Sequence, residues 1–191
     1  MDKELQIKCF SEIRLKSYES FEEYEKNLIY SKNFYIPLAI LEVTLRNHLD
    51  KHFKNKIMNN WLDNEFLDTY STRKVNEIKN KFKTNSCDKI ISELSFGFWV
   101  NLFKQPYQEF LRTTDLKKIF PNLPPKNQKF IDRKYLYKKL NLIRVFRNRI
   151  FHYEKVINKK EFEKIKNDID EILEYFDKNL SKYVNKINKE I

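Results

Sequence analysis

A chain of 191 residues is long enough for one domain with a sizeable core, and its 41 % hydrophobic and 15 % aromatic content excludes a disordered tail. A single glycine, Gly97, and five prolines leave too few turn-formers for an all-β fold, so composition favours helices. The net charge of +11 suits a polyanionic partner such as nucleic acid, although a Lys- and Asn-rich chain also carries such charge as plain solvation. Cys9 and Cys87 lie far apart with no C-x-x-C spacing and read as free thiols of a reducing compartment. No signal-peptide core opens the sequence and no apolar run reaches membrane length, so the expectation is a soluble cytoplasmic protein without membrane contact.

In chain order, residues 4 to 32 predict helix, with Leu5, Cys9, Ile13, Tyr24 and Leu28 as its apolar positions and an interruption near Ser17 to Ser20. Ser20 and Glu23 have capping-box spacing, which restarts a helix there. Pro37 suits the first turn of the next helix. Leu38, Leu41, Leu45, Leu49 and Phe53 then form one apolar stripe, flanked by Glu42 and Arg46 at pairing distance along the helix. Residues 59 to 88 predict short helices with an exposed connection from Lys83 to Asp88. From Lys89 to Phe103 the chain is apolar around Ser95-Phe96-Gly97-Phe98-Trp99, where aromatics at this spacing favour core over base stacking. Gly97 there predicts close approach by another helix backbone. Four prolines between 104 and 132 break the chain around a short helix at Leu111 to Phe120. Arg133 to His152 predicts a helix with Leu136, Leu140, Ile143 and Phe146 inside, and Asn158 to Ile191 predicts a last amphipathic helix opened by Asn158 and Glu161. No linker divides the chain, so residues 1 to 191 read as one all-α domain.

The chemistry concentrates at the end of the Arg133 to His152 helix. Arg144, Asn148 and His152 are four residues apart and share a face, with Arg147 beside them and Arg149 to the side. RNA carries its own nucleophile, the 2′-OH, and needs no metal to be cut. It needs a group titrating near neutrality, which histidine supplies, and a cation for the phosphorane-like transition state, which arginine supplies bidentately. Asn148 fits an orienting role, and two copies would provide both a base and an acid. Glu42 is placed to orient an arginine of this site. The plainer reading is a helix end whose cations pair with carboxylates such as Glu42 or Glu154. His48 and His52 form a possible metal edge, but no third ligand is positioned and His52 falls in the apolar stripe, so no metal and no cofactor are expected.

The ordered motifs resemble the Abi family, abortive-infection proteins of the AbiD and AbiF type within the HEPN superfamily. Tyr24 to Asn27 and Glu42-Val43-Thr44-Leu45-Arg46-Asn47 are similar to its Y-x-x-N and E-V-x-L-R-N signatures, with Trp61 following. Leu94 to Trp99 resembles L-x-F-G-F-W, Phe120-Pro121 an F-P, and Arg144 to His152 its R-x-x-R-N-R-I-x-H. Where the family commonly continues H-H-E, this chain has His152-Tyr153-Glu154. The resemblance implies a HEPN-like helical bundle with additional helices, often a homodimer, and metal-independent RNA cleavage in anti-phage defence. Arg147, His152 and Asn148 would then be catalytic and Glu42 and Arg46 would support them. Arg144, Arg149 and Tyr153 would contact RNA. The alternative it leaves open is a HEPN protein that holds a structured or regulatory RNA without cutting it.

Overall fold

In the computed structural model, which describes residues 1–190, the described residues form helices and turns and no strand. The stripe of Leu38, Leu41, Leu45, Leu49 and Phe53 becomes the inner face of α4 (Tyr35–Lys56), and none of the five is more than 3 % exposed. Burying such a side chain stabilises the fold by about 1.5–3 kcal/mol. Pro37 is the third residue of α4, where a backbone N–H would have no helical acceptor. The second framework helix is α9 (Arg133–Phe151), capped by Asp132, whose carboxylate accepts from the Tyr135 N–H at 2.7 Å. Its Leu136, Leu140, Ile143 and Phe146 are fully buried.

Two further helices, α7 (Phe96–Asn101) and α10 (Ile165–Phe176), each pack on both α4 and α9 and so knit the core together. Phe96, Phe98 and Trp99 are buried, which makes the aromatic run core. Gly97 does not admit a helix backbone: a Cβ there would meet the Arg144 Cδ and the Ser95 Oγ at 3.6 Å, ordinary contact distance. What approaches is an arginine stem, and the missing side chain leaves a recess.

The N-terminal segment splits into α1 (Lys3–Phe10), α2 (Glu12–Leu15) and α3 (Phe21–Lys32). Its apolar pattern is a poor guide to burial. Leu5, Cys9, Ile13 and Leu28 are exposed, and the buried residues of α3 are Glu23, Tyr24 and Asn27. Ser20 caps α3 by accepting from the Glu23 N–H at 3.1 Å, but the box does not close. The Glu23 carboxylate accepts instead from Glu19 N at 2.8 Å, Lys155 Nζ at 2.8 Å and Asn158 Nδ2 at 2.9 Å.

Between the framework helices lie α5 (Thr69–Phe82), α6 (Cys87–Glu93) and α8 (Thr113–Ile119). The 14 residues of α5 exceed the short helices expected there, because Asp68 caps its start and it buries only Ser71 and Val75, a stripe too thin to read. The expected single C-terminal helix is also absent. Asn158 takes a left-handed φ of 60° and points its amide at Glu23 rather than capping. Residues 160 to 162 make a 3-10 turn, α10 starts at Ile165, and the chain breaks again at Asp177 before α11 (Leu180–Ile187) folds back on α10 and α4. The Asp177 carboxylate accepts from the Asn179 N–H at 2.7 Å, a local turn that competes with helical bonding. The apolar period continues across the break, which conceals it in the sequence; Ile191 lies outside the described residues. No helix among the described residues is long and apolar enough to cross a membrane, and both cysteines are free thiols.

Candidate functional site

The end of α9 is shaped by its backbone. Glu154 N–H donates to Arg149 O at 2.8 Å, Tyr153 N–H to Ile150 O at 2.9 Å, and Tyr153 takes a left-handed φ of 58°. This is a Schellman cap, with tyrosine where glycine is usual. The conformation costs a non-glycine residue roughly 1–2 kcal/mol, and such strain clusters at functional positions. The cap stops the helix at Phe151 and leaves His152 and Tyr153 exposed, Tyr153 at 63 %. Among the described residues neither the His152 ring nor the Asn148 amide makes a hydrogen bond.

Arg147 is the most constrained cation. Its Nη2 lies 3.4 Å from Glu42 Oε2 on α4, its guanidinium stacks 4.5 Å from the centroid of Phe151, and its Nε is buried without an acceptor. The Glu42–Arg46 pair expected along α4 does not form. Glu42 faces α9, while Arg46 Nε donates to the adjacent Asn47 Oδ1 at 3.3 Å, so Arg46 is not brought to the site. Arg149 lies 3.6 Å from Glu154, so the pairings of the plainer reading are both present. They are long and partly exposed, and such pairs are worth about 0–1 kcal/mol, little enough for a phosphate to displace.

Arg144 departs from the shared face. Its Nε and Nη2 donate to Asn141 Oδ1 at 3.1 and 2.9 Å, one turn back along the helix. It lines a recess of about 240 Å³ with Gly97, Lys104, Tyr70 and Tyr137, residues that do not include Asn148 or His152.

Two positioning contacts have no local sequence signal. Asn27, 1 % exposed on α3, accepts from Val156 N at 2.8 Å and Ile157 N at 3.2 Å and donates to Glu154 O at 3.2 Å. It thus fixes the loop that follows His152. Arg14 on α2 donates through Nη1 to Tyr153 O at 2.6 Å and reaches His152 O at 3.4 Å. Negative carbonyl ends of a helix attract a cation, which accounts for the arginine. The partners are more than a hundred residues away, so spacing reveals neither contact, and the one sequence hint is Asn27 as the last residue of the Tyr24 to Asn27 motif.

His48 and His52 have other duties. The His52 ring nitrogen Nε2 is 3.0 Å from Phe110 O, and the His48 ring packs on Phe176 with centroids 4.7 Å apart. Burial lowers the pKa of both imidazoles, partly offset in each by a backbone hydrogen bond. No protein-family model, curated protein or solved structure matches this chain. The site's own geometry therefore carries the functional argument: one exposed imidazole, one amide and one clamped guanidinium at the end of a helix whose neighbouring loop is pinned from two sides.

Proposed function

We propose that this chain is a bacterial abortive-infection protein of the HEPN type that cleaves RNA without metal. The observation that carries the reading is the end of α9, where an exposed His152 whose ring makes no hydrogen bond follows an Arg147 held by Glu42 with an unused Nε–H. In this reaction the RNA 2′-OH attacks the adjacent phosphorus, and the 5′-oxygen leaves. A base takes the 2′ proton and an acid protonates the leaving oxygen. Arg147 binds the non-bridging phosphate oxygens and Asn148 orients phosphate or imidazole. Arg149 and Tyr153 contact the flanking strand, and Arg144 meets RNA that extends toward its separate recess.

One copy supplies one available histidine, because His48 and His52 are committed to the core. A second copy would provide the other proton-transfer group, and exposed Tyr35, Val43 and Phe151 beside the Glu42–Arg147 pair are suited to meet it. The same observations favour a second reading. With one histidine per copy and Arg147 partly neutralised by Glu42, the site would hold an RNA rather than cut it.

His152→Ala and Arg147→Ala are expected to abolish both RNA cleavage and growth arrest, while circular dichroism and thermal melting stay close to wild type. Unchanged cleavage by His152→Ala sinks the catalytic assignment. Intact RNA of uniform length that copurifies with wild type moves the reading to a holding role.

A further inference from the structure

A recess of about 400 Å³, within the usual range of small-ligand pockets, is lined by Tyr153 and Glu154, the residues that follow His152 in the chain. α2 forms one wall, and the end of α9 with its following loop forms the other. Arg14, Arg149, Lys155 and Lys159 line it, against the single carboxylate of Glu154. One of these cations is spent, Lys155, which pairs with the buried Glu23 at 2.8 Å, and Arg149 is held only by the long 3.6 Å pair with Glu154. Two keep capacity. The Lys159 side chain makes no ion pair or hydrogen bond among the described residues, and Arg14 uses only Nη1 of its guanidinium, on the carbonyls of His152 and Tyr153.

The independent sign is Tyr18, which also lines the recess. It is 9 % exposed and its hydroxyl is buried with no hydrogen-bond partner, a rare condition in a folded protein. Lys155 Nζ sits 5.4 Å from the centroid of its ring. Burial raises the phenol pKa, so the hydroxyl remains a donor. The rim is apolar: Ile13 is 86 % exposed and Tyr153 63 %. Cations around the recess and a buried, unpartnered phenol in its wall, with an exposed tyrosine and isoleucine at the edge, match a phosphate carrying a base.

We propose that this recess is a phosphate subsite that takes the nucleotide adjoining the one at Arg147 and His152. The assignment rests on the RNA reading given above. α2 completes it, so docking of the N-terminal segment both builds the subsite and, through Arg14, holds the His152 and Tyr153 carbonyls.

The test is binding of a labelled single-stranded RNA oligomer to the full chain across a salt series, with adenosine 5′-monophosphate as a second probe. Lys159→Ala should weaken RNA binding several-fold and lower the salt slope by about one counterion. Tyr18→Phe should weaken it with the slope unchanged. Lys117→Ala, an exposed lysine on α8 that does not line the recess, should weaken binding less than Lys159→Ala. A 5′-phosphorylated oligomer that gains affinity over its 5′-hydroxyl form, with the gain lost in Lys159→Ala, identifies a terminal phosphate; equal affinity of the two forms identifies an internal phosphodiester. RNA binding unaltered by Lys159→Ala and Tyr18→Phe, or altered equally by Lys117→Ala, overturns the subsite and leaves the RNA reading standing. Monophosphate binding that depends on Lys159, without RNA affinity, keeps the subsite and overturns the RNA reading. Absence of both overturns both.

Discussion

At the scale of single residues, the contact that gives the site its shape is Glu42 with Arg147. A 3.4 Å pair between side chains 25 % and 29 % exposed is a positioning device more than a stabilising one. Glu42→Gln should therefore move the melting point little, since about 1 kcal/mol or less is at stake. It should slow RNA cleavage by roughly tenfold, because the guanidinium loses the partner that aims it. Thermal melting and single-turnover cleavage check both halves, and a variant cutting at the wild-type rate would show that Glu42 does not position Arg147. Tyr153 makes the same point through its backbone: a strained left-handed tyrosine stands where glycine would be easier, and its side chain is in solvent.

At the scale of elements, α3 acts on the site without touching His152. Asn27 supplies three hydrogen bonds to residues 154 to 157, and Glu23 adds Lys155 and Asn158. Asn27→Ala strands the buried Val156 N–H along with Ile157 N–H, at about 2–4 kcal/mol. A lower melting point should come with reduced cleavage, since the loop carrying Tyr153 and Glu154 loses its anchor. Asn27→Asp keeps both acceptor contacts but buries a carboxylate against Glu154 O, so its melting point should also fall below wild type. Wild-type stability in Asn27→Ala would refute the clamp. α10 and α11 show the converse, a helix pair held by Asp170, which accepts from Ser181 Oγ and Asn185 Nδ2 at 3.0 Å each, far from α9's end in sequence and chemistry.

At the scale of the molecule, acid should weaken this protein over two separate pH ranges. His48 and His52 have folded pKa values lowered by burial, so the unfolded chain binds their protons first. Their contribution is complete above the unfolded value of about 6.5 and is lost as pH falls below it. A second loss comes lower. Burial alone would raise Glu171, but hydrogen bonds from Lys129, Lys139 and Tyr175 outweigh it and hold the carboxyl at about 2, so that support fades as pH falls from the ordinary carboxylate range toward that value. Melting points across pH should show both arms. His52→Gln should reduce only the upper one, and an upper arm unchanged in that variant rules out His52 as a cause of it.

Amphipathic periods are local, which is why α4 and α9 and their buried faces were legible from residue spacing alone: Leu38 to Phe53 and Leu136 to Phe146 all lie inside. Capping also reads locally, at Ser20 and, for the break before α4, around Pro37. The same locality misleads where polar contacts from afar decide the outcome. Tyr24 is buried as its spacing predicts, but Leu28 is not, because Asn27 and Glu23 turn that face toward the loop after α9. The C-terminal stripe hides a break at Asp177 because its apolar period outlasts the helix. The candidate site divides in the same way. That an arginine, an asparagine and a histidine gather at a helix end followed from one segment of sequence. That Glu42 meets Arg147 rather than Arg46, that Arg144 turns away to the Gly97 recess, and that Arg14 and Asn27 pin the loop were decided only by tertiary packing, since each joins residues whose separation along the chain carries no energetic signal until the core has brought them together.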